Sequence, residues 1–202
     1  MTAIKMCGLS QKRDIQAVNE IRPEYIGFVF WAKSKRYISP EKALEFKQML
    51  DENIKAVGVF VDESIEKVAE LLENGVIDLA QLHGSETEDY IHKLREMTNK
   101  PVIQAFRIRS SVDVERAAKS YADMILLDAG MGDGKIFDWS LIQDITRPYF
   151  LAGGLNCENI AEAVRKFHPY AVDVSSGIET DGLKDIKKMT AFAMAVRKEN
   201  EL

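Results

Sequence analysis

The sequence predicts a single closed (β/α)8 barrel, a TIM-type α/β fold of near-minimal length spanning residues 1–202. Three observations carry that expectation. Short runs rich in valine, isoleucine and phenylalanine alternate with longer segments of helical period along nearly the whole chain. The runs are continuously apolar, as parallel strands covered by helices must be. Eight such strand-then-helix units follow one another over short connections, with no linker or compositional shift to mark a second domain. The rival is an open doubly wound sheet, which usually carries a G-x-G-x-x-G turn after its first strand. Cys7-Gly8-Leu9-Ser10 is no such turn.

The first strand is Ile4-Lys5-Met6-Cys7-Gly8, and alternation puts Lys5 and Cys7 on one face with Ile4 and Met6 on the other. Ile15, Val18 and Ile21 then recur at helical spacing, and Pro23 closes that helix. Tyr25 to Phe30 is the second strand, followed by a basic loop, Lys33-Ser34-Lys35-Arg36. Ser39-Pro40-Glu41 opens the second helix: an N-cap, a proline at the first position and an acid in the first turn. Ala56 to Val61 is the third strand, and Ser64 to Asn74 the third helix, stopped by Gly75. Ile77 to Leu82 is the fourth strand, with His83-Gly84 at its end and Ser85-Glu86 starting a helix.

Pro101 to Phe106 is the fifth strand, with a short helix from Val112 to Lys119. Met124 to Leu127 is the sixth and ends in Asp128; a glycine-rich loop and a helix near Asp138 to Asp144 follow. Tyr149 to Ala152 is the seventh strand, ending in Gly153-Gly154, and Asn156 is placed to cap a helix running to about Phe167. Ala171 to Val174 is the eighth, ending in Ser175-Ser176-Gly177, and a closing helix is expected from Leu183 to Arg197.

Composition narrows the class. With 46% hydrophobic and 29% charged residues, the chain reads as an ordinary globular domain with a large core. No run approaches the ~18 apolar residues of a membrane helix, so no membrane partner is expected. Met1-Thr2-Ala3-Ile4-Lys5 lacks the basic region and apolar stretch of a secretory signal. Two cysteines make no disulfide framework, which points to a reducing, cytoplasmic compartment. A formal charge of -5 argues against nonspecific nucleic-acid binding but leaves room for an anionic small molecule, which answers to local charges.

In such barrels chemistry sits at the carboxyl ends of the strands, and the loops after strands seven and eight frequently bind phosphate. Here those loops are Gly153-Gly154 and Ser175-Ser176-Gly177. Glycine lets backbone N–H groups approach an anion, and serine adds a hydroxyl. Cys7 and Asp128 end strands one and six, on opposite sides of the mouth with the phosphate loops between them. A thiol and a carboxyl facing one phosphosugar form a base and acid pair. His83 is the histidine at a strand end. The other two, His92 within a helix and His168 before Pro169, give it no partner for a metal site. It is therefore expected to be a hydrogen-bonded wall residue. Cys157, Trp31 and Trp139 read as structural.

Several stretches carry a more specific signal: Lys5–Leu9, Gly27–Phe30, Ser34–Tyr37, Gln81–Gly84, Leu127-Asp128, Gly134-Lys135 with Phe137-Asp138-Trp139, Gly153–Asn156 and Val172–Glu179. In this order and register they resemble the phosphoribosylanthranilate isomerase family over nearly the whole chain. Met6, where isoleucine is common, and Met131-Gly132-Asp133, in a loop of variable length, are slight departures. The resemblance implies an Amadori rearrangement of N-(5-phosphoribosyl)anthranilate in tryptophan biosynthesis, with no metal and no organic cofactor. It implies that Asp128 is the general acid, Cys7 the general base and Arg36 the holder of the anthranilate carboxylate.

The acid then needs a raised pKa and the thiol a lowered one. Lys5 either stabilises the thiolate or pairs with Asp173. The loop from Gly130 to Gly134 is a candidate lid, and either a monomer or a homodimer is expected. Three other readings compete. A phosphosugar epimerase would need metal-binding histidines on several strand ends. The histidine-pathway isomerase uses an acid where this chain has Cys7. A non-catalytic phosphate-binding barrel has no use for Cys7 and Asp128.

Overall fold

The computed structural model describes residues 1–128, 142 and 145–201. Eight parallel strands close into a ring in sequence order: β1 (Ala3–Cys7), β2 (Tyr25–Val29), β3 (Lys55–Phe60), β4 (Leu79–Leu82), β5 (Val102–Arg107), β6 (Met124–Asp128), β7 (Tyr149–Ala152) and β8 (Ala171–Val174). Closure is made by β1 pairing with β8, Lys5 opposite Asp173. Between them run α1 (Lys12–Ile21), α2 (Pro40–Met49), α3 (Ile65–Glu73), α4 (Glu88–Met97), α5 (Ser111–Ala118) and α6 (Ile160–Phe167), with α7 (Ile186–Asn200) last. The candidate lid at 130–134, and all of the expected helix near 138–144 except Ile142, lie outside the described residues.

Strand pleating sorts the core into layers. Ile4 and Met6 point out into the large cluster between strands and helices, while the barrel interior is filled by Val57, Leu79, Ile103, Leu126, Phe150, Ala152 and Ala171. Lys5 and Cys7 share the inward face, as alternation requires. Above the packed interior a small collar of Cys7, Val29 and Val59 forms the floor of the mouth.

Three local expectations are corrected. The fourth helix begins at Glu88, with Thr87 as its cap accepting from the Tyr90 N–H; Ser85 instead donates from its N–H and hydroxyl to Asp62. Asn156 caps a turn rather than α6, its side chain accepting from the N–H groups of Glu158 and Asn159, and the helix starts at Ile160. The closing helix starts three residues late because Leu183-Lys184 is β10, paired antiparallel with β9 (Glu179–Thr180). Asp185, accepting from the N–H groups of Lys187 and Lys188, is the N-cap that ends this ribbon and starts α7.

Candidate active site

The carboxyl ends of the strands surround a cavity of about 1090 Å³. Cys7, Arg36, Asp128, Gly153, Gly154, Ser175 and Ser176 all line it. Gly177 does not. It lies where β8's loop crosses β7's: a Cβ added there would meet the Leu155 carbonyl oxygen at 1.9 Å. Its missing side chain lets the two loops touch. Gly153 and Gly154 hold φ of 91° and 68°, a region where a side chain is strained.

Cys7 ends β1 opposite Gly27 of β2, and only glycine fits there, since a Cβ on Gly27 would stand 2.6 Å from the Cys7 sulfur. Burial in the apolar collar pushes the thiol above its ordinary pKa, and the nearby Lys5 and Lys184 oppose this without overcoming it. The lowered pKa expected of the base is therefore absent from the free protein. Lys5, fully buried, donates to Asp173 Oδ1 at 2.9 Å. Burial alone would pull its ammonium down, but Asp173 and Cys7 outweigh this and raise it. Lys5 thus does both things considered for it: it pairs with Asp173 and it faces the thiol.

Across the mouth, Asp128 Oδ2 lies 3.1 Å from His83 Nε2. The Gln81 amide donates to His83 Nδ1 at 3.0 Å, so the ring carries its proton on Nε2 and donates it to Asp128. Gln81 is 1% exposed, and its Oε1 has no hydrogen-bond partner among the described residues. Residue-type reasoning left Gln81 unassigned, although it stands in the same strand-end stretch as His83.

Arg36 is pinned along one edge. Its fork closes on Glu179, Nε to Oε1 at 2.6 Å and Nη2 to Oε2 at 2.7 Å, leaving Nη1. Its stem crosses Gly8, where a Cβ would meet the Arg36 side chain at 2.4 Å. The Ser175 hydroxyl, expected to face phosphate, donates to the Cys7 carbonyl at 3.1 Å. Lys184, missed because Leu183-Lys184 looked like the start of a helix, donates to the Ser175 carbonyl and to Glu179 Oε1. Among the described residues no three His, Cys, Asp or Glu side chains are grouped to hold a metal ion.

Fold and site together define a (β/α)8-barrel enzyme whose thiol and carboxyl open on one shared mouth. Residues 4–195 match the family model described as N-(5'-phosphoribosyl)anthranilate (PRA) isomerase. A relative from Endomicrobium trichonymphae with that name is 47% identical, over 98% of this chain and 99% of its own. A crystal structure of phosphoribosyl anthranilate isomerase from Thermotoga maritima superposes with a TM-score of 0.90 at 38% identity, covering 98% of this chain and 100% of its own. Another, in complex with reduced 1-(o-carboxyphenylamino)-1-deoxyribulose 5-phosphate, superposes at 0.88 with the same identity and coverage. The chain belongs to the phosphoribosylanthranilate isomerase family and is an isomerase.

Proposed function

We propose that this chain opens and isomerises N-(5-phosphoribosyl)anthranilate to 1-(2-carboxyphenylamino)-1-deoxyribulose 5-phosphate, with Asp128 as general acid and Cys7 as general base. The observation that carries this reading is that both groups line one cavity from opposite strands, β6 and β1. Asp128 gives a proton to the furanose ring oxygen as the bond from that oxygen to C1 breaks. The amine lone pair makes the C1–N iminium. The Cys7 thiolate takes the proton from C2, and the electron pair left behind forms the C1–C2 double bond and quenches the iminium. The enolamine becomes the product when C1 gains a proton and the C2 hydroxyl loses one.

The two glycine-lined loops offer amide N–H groups, and Ser176 a hydroxyl, to the phosphate. Arg36 takes the anthranilate carboxylate through Nη1, its other edge being held by Glu179. Every residue assigned comes from one chain, so a monomer and a homodimer carry the same site. Cys7 and Cys157 are free thiols, which suits a cytoplasmic enzyme. No helix among the described residues is long and apolar enough to cross a membrane.

The test is the loss of substrate fluorescence on adding purified protein, with and without chelator. Wild type should consume substrate, chelator should leave the rate unchanged, and Cys7→Ser and Asp128→Asn should each lower turnover by about 10²-fold or more. Near-normal turnover in either variant would remove its assigned role. Arg36→Ala should raise KM about ten-fold with a smaller change in kcat; an unchanged KM would remove the carboxylate contact.

A further inference from the structure

Lys184 and Glu179 stand outside the cavity lining, yet both are nearly closed off from solvent, their side chains 3% and 8% exposed. They face each other across the two-residue ribbon β9–β10. From there contacts run in two directions. Glu179 holds the Arg36 guanidinium by two hydrogen bonds. The Lys184 ammonium reaches Glu179 Oε1 at 2.6 Å, the Ser175 carbonyl at 3.0 Å and the Ser175 hydroxyl at 3.3 Å; that hydroxyl binds the Cys7 carbonyl. One buried cation thus joins the residue that meets the substrate's carboxylate, the phosphate-side loop and the strand end that bears the thiol.

We propose that Lys184 is a positioning residue for the isomerisation, setting Arg36 through Glu179 and the Cys7 strand end through Ser175 as one frame. A lysine buried this deeply is retained only where its charge is engaged, and here all three contacts are with groups the site uses. The thiol is faced by Lys5 on its own strand, Asp173 on β8, Arg36 from the loop after β2, and Lys184. The cation on β10 adds to that of Lys5 in favouring the thiolate over the thiol. Frame and charge therefore act on the same residue, one at its carbonyl and the other at its sulfur.

The inference rests on the acid–base roles given above, so its test reads three quantities. In Lys184→Met, which leaves Glu179 paired with Arg36, KM should rise about ten-fold with a smaller fall in kcat. The pH midpoint for iodoacetamide alkylation of Cys7, followed in a Cys157→Ser background, should move upward, because a cation near the thiol has gone. Glu179→Gln should raise KM without moving that midpoint, and it carries the test if Lys184→Met does not fold. Wild-type KM and an unmoved thiol midpoint in folded Lys184→Met would overturn the proposal, as would unchanged KM in Glu179→Gln. Failure of the underlying reading shows separately, as wild type that leaves the substrate unconsumed or as active Cys7→Ser.

Discussion

Cys7 shows how little a residue type says before its surroundings are known. The same side chain that alternation places at the mouth is held under an apolar collar with Val29 and Val59, and burial raises its pKa. Asp128 is held from its own side of the mouth, where a ring N–H from His83 points at its Oδ2. That hydrogen bond also fixes the carboxyl plane, which matters for a group that must deliver a proton to one ring oxygen. His83→Asn should therefore lower kcat about ten-fold while KM changes little. Steady-state kinetics decide it, and an unchanged kcat would leave His83 a wall residue only. The histidine's position at a strand end was legible in the sequence. Its tautomer was not, because Gln81 sets it from two residues away on the same strand.

At the scale of elements, the site depends on loops that touch. Gly177 separates β8 from the ribbon β9–β10, and its missing side chain is the space occupied by the Leu155 carbonyl. Gly177→Ala should cost about 1–3 kcal/mol by forcing the two loops apart, and KM should rise with it. Thermal unfolding and substrate titration measure the two effects; an alanine accepted without loss of stability would show the loops can separate freely. Sequence reading put Gly177 among the phosphate ligands on the strength of the small residues in both loops. The crossing of those loops, with Gly177 admitting a carbonyl, is visible only in the tertiary structure. The ribbon itself was invisible for a related reason: two-residue strands have no periodicity to read.

For the molecule as a whole, closure of the ring and placement of the base are one event. The seam between β1 and β8 sets Lys5 opposite Asp173, and the ammonium and carboxylate meet at 2.9 Å in the barrel interior. Asp173→Asn leaves that ammonium buried without its counter-charge and should cost about 3–5 kcal/mol, whereas joint replacement of both by uncharged side chains should cost less. Denaturant unfolding of the single and double variants tests this, and equal losses would show that the seam does not depend on the pair. By itself the sequence determined the eight strands, their order around a closed ring, the inward face of β1 and the strand ends that carry the thiol and the carboxyl. Those follow from period, alternation and short connections, which are local properties of a chain. Tertiary structure alone decided that Arg36 is held by Glu179, that the Ser175 hydroxyl turns to Cys7, and that Lys184 lies buried between them. Each is a contact between residues on different elements, where burial and charge are set by what the fold brings alongside.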